Sequence, residues 1–207
     1  MTVNNLYNIF SSITKMIDEN KDYLIQLDQQ NGDGDLGISM SNGFNSVTKE
    51  LENITTTDLG KTFMKAAITF NETAPSSLGT ILSFGLMGIA KSLKNKEEAN
   101  INDIAIAMEA GLNNIMEKGK SKPGEKTIID SLYPAITAIK ENVDKDNVFE
   151  LAYEAAKEGS QKTKEMKSVH GRAAYYSEKS LGILDGGSVV GQLIFEGILN
   201  YSRSNNG

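Results

Sequence analysis

The sequence contains no cysteine. That excludes a disulfide scaffold, a thiolate metal site and a cysteine nucleophile, and it fits a reducing cytosol. Histidine occurs once, at His170, so imidazole-rich metal sites are excluded and a serine–histidine–aspartate arrangement would depend on that one residue. Any divalent site must then be built mainly of oxygen, which suits Mg2+ or Ca2+ better than zinc. No run of about 18 apolar residues could span a bilayer. The first residues, "MTVNNLYNIF", lack the basic and apolar regions of a signal peptide, so the expected location is cytoplasmic, with no membrane partner. Positive charge is also in deficit: 21 Lys and Arg against 27 Asp and Glu leave a net charge of −6. The lysines are spread along the chain, and without a basic stripe nucleic acid is not an expected partner.

What remains is ordinary globular composition. The 207 residues, 39% of them hydrophobic, suit one domain spanning 1–207 with its own core. The apolar pattern has helical period nearly everywhere. Leu6, Ile9, Phe10, Ile13, Ile17, Leu24 and Leu27 trace a first helix; Met40, Phe44, Val47 and Leu51 a second; Leu59, Phe63, Ala67 and Phe70 a third. The stretch from Leu78 to Leu93 is the most apolar and reads as a central helix. Ile104, Met108, Leu112 and Ile115 follow, with Asn102 or Asp103 as N-cap and Gly119 just past the end. A helix over about 127–140 contains Pro134, which should kink it or mark its first turns. "NVFELAYEAAKEG" ends a seventh at Gly159, and Val189 to Tyr201 forms the eighth. No period-2 run bounded by turn signals occurs, so no strand is expected. The expected class is all-α: eight antiparallel up-and-down helices joined by short connections.

Four glycine-rich, polar stretches interrupt the helices: "NGDGDLG" (31–37), "NETAPSSLGT" (71–80), "KGKSKPGEKT" (118–127) and "HGRAAYYSEKSLGILDGGS" (170–188). They follow the first, third, fifth and seventh helices. Alternate loops of an antiparallel bundle share one end, so all four are expected together, where they could form one composite site.

The first of them crowds Asp33 and Asp35 beside Asp28. A solvated Asp–Gly turn would explain a lone "GDGD". An EF-hand fails, because Leu36 stands where its glycine belongs and Asn42 where its bidentate glutamate belongs. A Mg2+ site fits better. Asp28 would end the first helix, and residues two apart in an extended segment project the same way, so Asp33 and Asp35 converge. Three carboxylates exceed the need of one Mg2+, which points to two ions bridged by carboxylates and polyphosphate. Arg172 can present a fork of donors to phosphate. "LDGGSVVG" places two glycines and a serine before the last helix, where free backbone N–H groups could face an anion. "SKPGEKT" lacks the spacing of a P-loop.

Taken in order, "LD…NGDGDLG…M…GF", "LGT", "GKSKPGEKTIIDSLYPA" and "GRAAYYSEKSLGILDGG" resemble the nucleotide-binding L subunit of dihydroxyacetone kinases, nearly end to end. The resemblance implies a barrel of eight antiparallel helices with ADP or ATP at one end. It implies two Mg2+ ions on Asp28, Asp33 and Asp35. By the same resemblance Leu36, Gly37, Ile38 and Ser39 line the nucleotide site, with Gly119, Ile128, Arg172, Asp185, Gly186 and Gly187. Departures are specific. Leu36 replaces a histidine and Ser39 an asparagine, "DGG" replaces "DPG", and a nucleotide-contacting Ala–Ser pair falls on Thr73 and Ala74 within "NETAPSS". These mark a divergent paralogue.

The leading expectation is a phosphotransferase subunit in which the metals and Arg172 neutralise charge developing on a transferred phosphoryl group. The acceptor would be dihydroxyacetone or a related small hydroxy-ketone or sugar on a separate K subunit, and the donor ATP or a phosphotransferase-system protein. His170 has no counterpart in the family and is expected to be a loop histidine. A nucleotide-sensing regulatory module without catalysis is the alternative from another class. A helical scaffold without ligand is a third.

Overall fold

The expected first helix is broken in the structure, although its apolar period runs on. It splits into α1 (Val3–Glu19) and α2 (Lys21–Asp28). At Asn20 the side-chain amide donates to the carbonyl of Met16 at 2.8 Å, sharing it with the helical N–H bond of the same residue, and the backbone leaves the helical region at φ −107°, ψ 9°. Asparagine competes in this way with the helical ladder, so the rod bends there. The computed structural model describes residues 1–30 and 32–205, without the side chains of Arg172, Ala173, Tyr176 and Ser177.

The remaining helices are α3 (Leu36–Glu52), α4 (Leu59–Thr73), α5 (Ser77–Ser92), α6 (Ile101–Gly119), α7 (Ile129–Glu141), α8 (Val148–Lys162) and α9 (Gly186–Asn205). Two 3₁₀ segments, Thr163–Glu165 and Arg172–Ser180, lie between α8 and α9. No strand occurs among the described residues. Each rod packs on the next in chain order, and α9 returns to α1. The expected up-and-down all-α class is therefore borne out: among the described residues the helices close a barrel of eight staves, the first one bent.

Among the described residues no helix runs through its centre. The most apolar segment, α5, is a stave rather than the expected central helix, flanked by α4 and α6. Its apolarity on several faces has two sources. Gly85 and Gly88 let it approach α6 so closely that a Cβ at Gly88 would lie 2.6 Å from the carbonyl of Ala110. On its inner side Leu82, Leu86 and Ile89 border an apolar lumen of about 430 Å3. Phe44 and Phe70, both lining that lumen, meet edge to face with ring centroids 4.9 Å apart.

Other boundaries shift for local reasons. Asn100, not Asn102 or Asp103, caps α6: its Oδ1 accepts from the N–H of Asp103, whose carboxylate accepts from the N–H of Asn100 in return. Gly119 is still helical, and the left-handed residue after it is Lys120, φ +50°. α8 continues past Gly159 to Lys162. Gly159 is there for packing. Pro134 inside α7 has no N–H for the carbonyl of Asp130, and α8 approaches so closely at this turn that a Cβ on Gly159 would lie 2.0 Å from that oxygen.

Candidate functional site

The staves alternate in direction, so the starts of α3, α5, α7 and α9 gather at one end with the connections that precede them. Contacts between these connections are direct. Ser39 Oγ at the start of α3 donates to Ser76 Oγ, the N-cap of α5, at 2.7 Å. Leu36 reaches the start of α9, where a Cβ on Gly186 would lie 2.5 Å from its Cδ2. A Cβ on Gly187 would approach the N–H of Ile128, at the start of α7, to 3.4 Å. The four stretches singled out in the sequence thus form one continuous surface.

On it, one carboxylate oxygen from each of Asp28, Asp33 and Asp35 lies within 4.8 Å of the others. Asp28, the last residue of α2, is fixed by the turn that follows: its Oδ2 accepts from the N–H of Gly34 at 2.7 Å. Gly34 sits at φ +78°, a left-handed conformation glycine adopts without strain. Gly32 is equally constrained, since a Cβ there would fall 2.2 Å from Asp28 Oδ1. Asp35 ends the turn as N-cap of α3, so the cluster lies at the positive end of that helix. An all-oxygen donor set this compact beside a helix start suits a hard cation carrying an anion.

The other predicted site residues differ in what they offer. Gly37 abuts α2, where a Cβ would meet the carbonyl of Lys21 at 2.2 Å. Ile38 is exposed and Ser39 buried. Thr73 ends α4 and returns its hydroxyl to the carbonyl of Thr69 at 2.7 Å. Ala74 is fully buried, its methyl against the position where Gly43 would carry a Cβ. Gly119 closes α6 against Ile81 of α5. Ile128 is buried, as is Leu36 at 8% exposure, so neither contributes a polar side chain. The side chain of Arg172 lies outside the described residues; its backbone begins the second 3₁₀ segment.

Asp185 precedes α9. Its Oδ2 accepts from the N–H of Ser188 at 2.6 Å, and its own N–H donates to Thr163 Oγ1 at 3.1 Å. Burial pushes its carboxyl from 3.8 up to about 7, helped by the charges of Asp130 and Asp28 and opposed by the Ser188 N–H and the Lys126 ammonium. The contact of Leu36, the residue after Asp35, with Gly186 places the glycine turn of α9 beside the acidic cluster.

Three residues at this end were not singled out in the sequence. Ser76 caps α5 through Gly79 N–H at 3.1 Å. Buried Asp130 accepts from the N–H groups of Gly124 and Thr127 at 2.5 and 2.7 Å, shaping the turn between α6 and α7. Lys126 within that turn is buried. A serine before an apolar run signals a cap, but nothing local distinguishes Lys126 from a surface lysine. His170 is a loop residue as expected, yet not a free one: its Nε2 lies 2.6 Å from Glu125 Oε2. That contact holds the Glu125 carboxyl below the usual carboxylate range.

Comparison with known proteins shows the family. The family model of the DAK2 domain matches residues 30–200. The chain belongs to the DAK2 domain family. Its DAK2 relatives include the ADP-binding subunit DhaL of the PEP-dependent dihydroxyacetone kinase 1 of Listeria innocua, 34% identical over 188 residues and covering 91% of each chain. Another is the ADP-binding subunit DhaL of the PTS-dependent dihydroxyacetone kinase of Lactococcus lactis, 28% identical over 200 residues, covering 96% of this chain and 97% of that one. The expected resemblance to the L subunit and the expected kinase relationship are both borne out at the level of the family. The dihydroxyacetone kinase of C. freundii, solved in complex with AMP-PNP and Mg2+, superposes with a TM-score of 0.77 at 21% identity. The match covers 94% of the present chain and 33% of that one, and shows the shared fold. No helix among the described residues is long and apolar enough to cross a membrane.

Proposed function

We propose that this chain is the nucleotide-binding subunit of a dihydroxyacetone-kinase-type phosphotransferase, carrying ADP or ATP with two Mg2+ ions. The observation that carries the reading is the meeting of the Asp28, Asp33 and Asp35 carboxylates within 4.8 Å, beside the start of α3. Those three side chains would hold the metal. When bound, Mg2+ supplies charge neutralisation and alignment of phosphate oxygens. The start of α3 and the Gly186–Gly187 turn, which meet through Leu36, would receive phosphate on their backbone N–H groups. Arg172, on the segment bordering it, would neutralise charge on the transferred group.

The acceptor in this reading is dihydroxyacetone or a related small hydroxy-ketone or sugar, held on a separate K subunit. The apolar rim of the site end supports a protein partner there: Tyr175 is 90% exposed, with Val169, Leu181 and Ile38 also outward. The donor is ATP or a phosphotransferase-system protein; the names of the Listeria and Lactococcus relatives, PEP-dependent and PTS-dependent, favour the latter. One observation favours a nucleotide-sensing regulatory role instead. Leu36 stands where the family carries histidine, and it packs beneath Gly186 without a polar contact to offer.

Reconstitution separates the two. The chain is mixed with a K subunit and dihydroxyacetone, and supplied with either ATP or phosphoenolpyruvate plus the general phosphotransferase proteins. Formation of phosphorylated product supports the kinase reading and identifies the donor. Tight Mg2+-dependent ADP binding with no product in either mixture replaces it with the sensor.

A further inference from the structure

The connection from Thr163 to Asp185 carries both Arg172 and the turn before α9, and it spans the site end on two 3₁₀ segments rather than an α-helix. Its fastening comes from elsewhere. Lys126 stands at φ +59°, a left-handed conformation uncommon for a side-chain-bearing residue, and is 4% exposed. Its Nζ donates to three backbone carbonyls: Ser180 at 2.6 Å, Ile183 at 2.7 Å and Met166 at 3.2 Å. An ammonium has three N–H donors, and here all three are directed to the two ends of one loop. Met166 opens that loop; Ser180 and Ile183 close it. Further bonds draw the neck together, from Gly182 N–H to the carbonyl of Lys164 at 2.8 Å and from Ser168 N–H to Ser180 Oγ at 3.0 Å. The preceding residue, Glu125, meets the middle of the loop through His170. Asp130 holds the turn that presents both, through Gly124 and Thr127.

We propose that Lys126 is a positioning residue for phosphoryl transfer, its ammonium pinning the neck of the 166–183 loop so that the Arg172 segment and the Asp185–Gly187 turn keep their places over the nucleotide. The buried stem alone does not require an ammonium. Methionine has similar length and apolarity, but it would take the ammonium from three carbonyls, that of Ser180 keeping the Ile183 N–H at 3.4 Å. The inference rests on the nucleotide site proposed above. It adds a contribution from a residue that reaches neither metal nor nucleotide.

The test compares the full-length wild-type chain with Lys126→Met. Three quantities are read: Mn2+ binding by electron paramagnetic resonance, Mg2+–ADP affinity by calorimetry, and amide hydrogen exchange across residues 166–183. The pin predicts Mn2+ affinity within twofold of wild type, loop exchange at least tenfold faster, and ADP affinity at least tenfold weaker. A lysine that merely filled the core would move all three together or none. Loop protection and ADP affinity both within twofold of wild type would overturn the proposal. If wild type binds Mn2+ but no nucleotide, the functional reading fails by itself, and the exchange comparison still decides whether the pin exists. If Lys126→Met does not fold, acetic anhydride labelling of wild type decides: Lys126 should react at least tenfold more slowly than exposed Lys122, and equal rates overturn the pin.

Discussion

Replacing Asp28 by asparagine and by alanine separates what the carboxylate does for the fold from what it does for the ligand. Its Oδ2 accepts from Gly34 N–H at 2.7 Å in a partly buried position. A hydrogen bond to a charged acceptor contributes roughly 1.5–3 kcal/mol and a neutral one about 1 kcal/mol. Asparagine retains an acceptor, so Asp28→Asn should cost the metal-free protein about 1 kcal/mol. Alanine removes it, and Asp28→Ala should cost about 2 kcal/mol. At about 2–4 °C per kcal/mol for a chain of this size, Tm falls by about 2–4 °C and 4–8 °C respectively. Ligand linkage works on a different scale. Mg2+–ADP at 100 times its Kd adds about 2.7 kcal/mol, or roughly 5–11 °C, to wild type. Both variants should lose that gain, because either change removes the one negative charge that α2 contributes to the cluster. The assay is thermal unfolding in EDTA, in Mg2+, in ADP and in the two together. An Asp28→Asn protein that kept the full Mg2+–ADP shift would refute the assignment of the cluster as a metal–phosphate clamp.

Three further outcomes are expected. Gly159→Ala places a methyl 2.0 Å from the carbonyl of Asp130, so α8 must back away from α7; the urea midpoint should fall by the equivalent of about 1–3 kcal/mol with the m-value unchanged. Asp130→Ala strips the acceptor from two N–H groups in a buried turn and should cost about 3 kcal/mol in the same denaturation, with faster exchange at Gly124 and Thr127. The third concerns Asp185, whose carboxyl is raised from 3.8 to about 7. The native chain therefore holds this proton more tightly than the unfolded one. Its stabilising contribution is present below about pH 4 and is lost as pH rises to about 7, levelling off above that. Asp185→Asn should flatten that slope in EDTA and unfold at a higher temperature than wild type at pH 8; a slope equal to that of wild type would show that another group carries it.

The eight staves were readable because each keeps its apolar residues at three and four, and α-helical packing requires little more. The bend at Asn20 was hidden because Ile17, Leu24 and Leu27 continue the period on both sides of it, while the competing hydrogen bond belongs to one side chain. The central-helix reading of Leu78–Leu93 failed for a related reason. Apolarity reports contact with other apolar surface; a stave pressed through Gly85 and Gly88 onto its neighbour, with a lumen behind it, reads like a buried core helix. Asp28, Asp33 and Asp35 stood out because carboxylates crowd into a short glycine-rich segment at a cost that a cation would relieve. Lys126 and Asp130 did not, because their partners are backbone groups, invisible in a string of side chains.

By itself, then, the sequence determined the helical class, the order of the staves and the grouping of four polar stretches at one end, since period and loop alternation are properties of the chain taken in order. Only the tertiary structure decided which groups within those stretches meet. It brought three carboxylate oxygens within 4.8 Å, set Leu36 beneath Gly186, and turned Lys126 inward to three carbonyls some 40 to 57 residues away. Such contacts depend on distances of a few ångströms between segments remote in sequence, and those distances exist only once the barrel has closed.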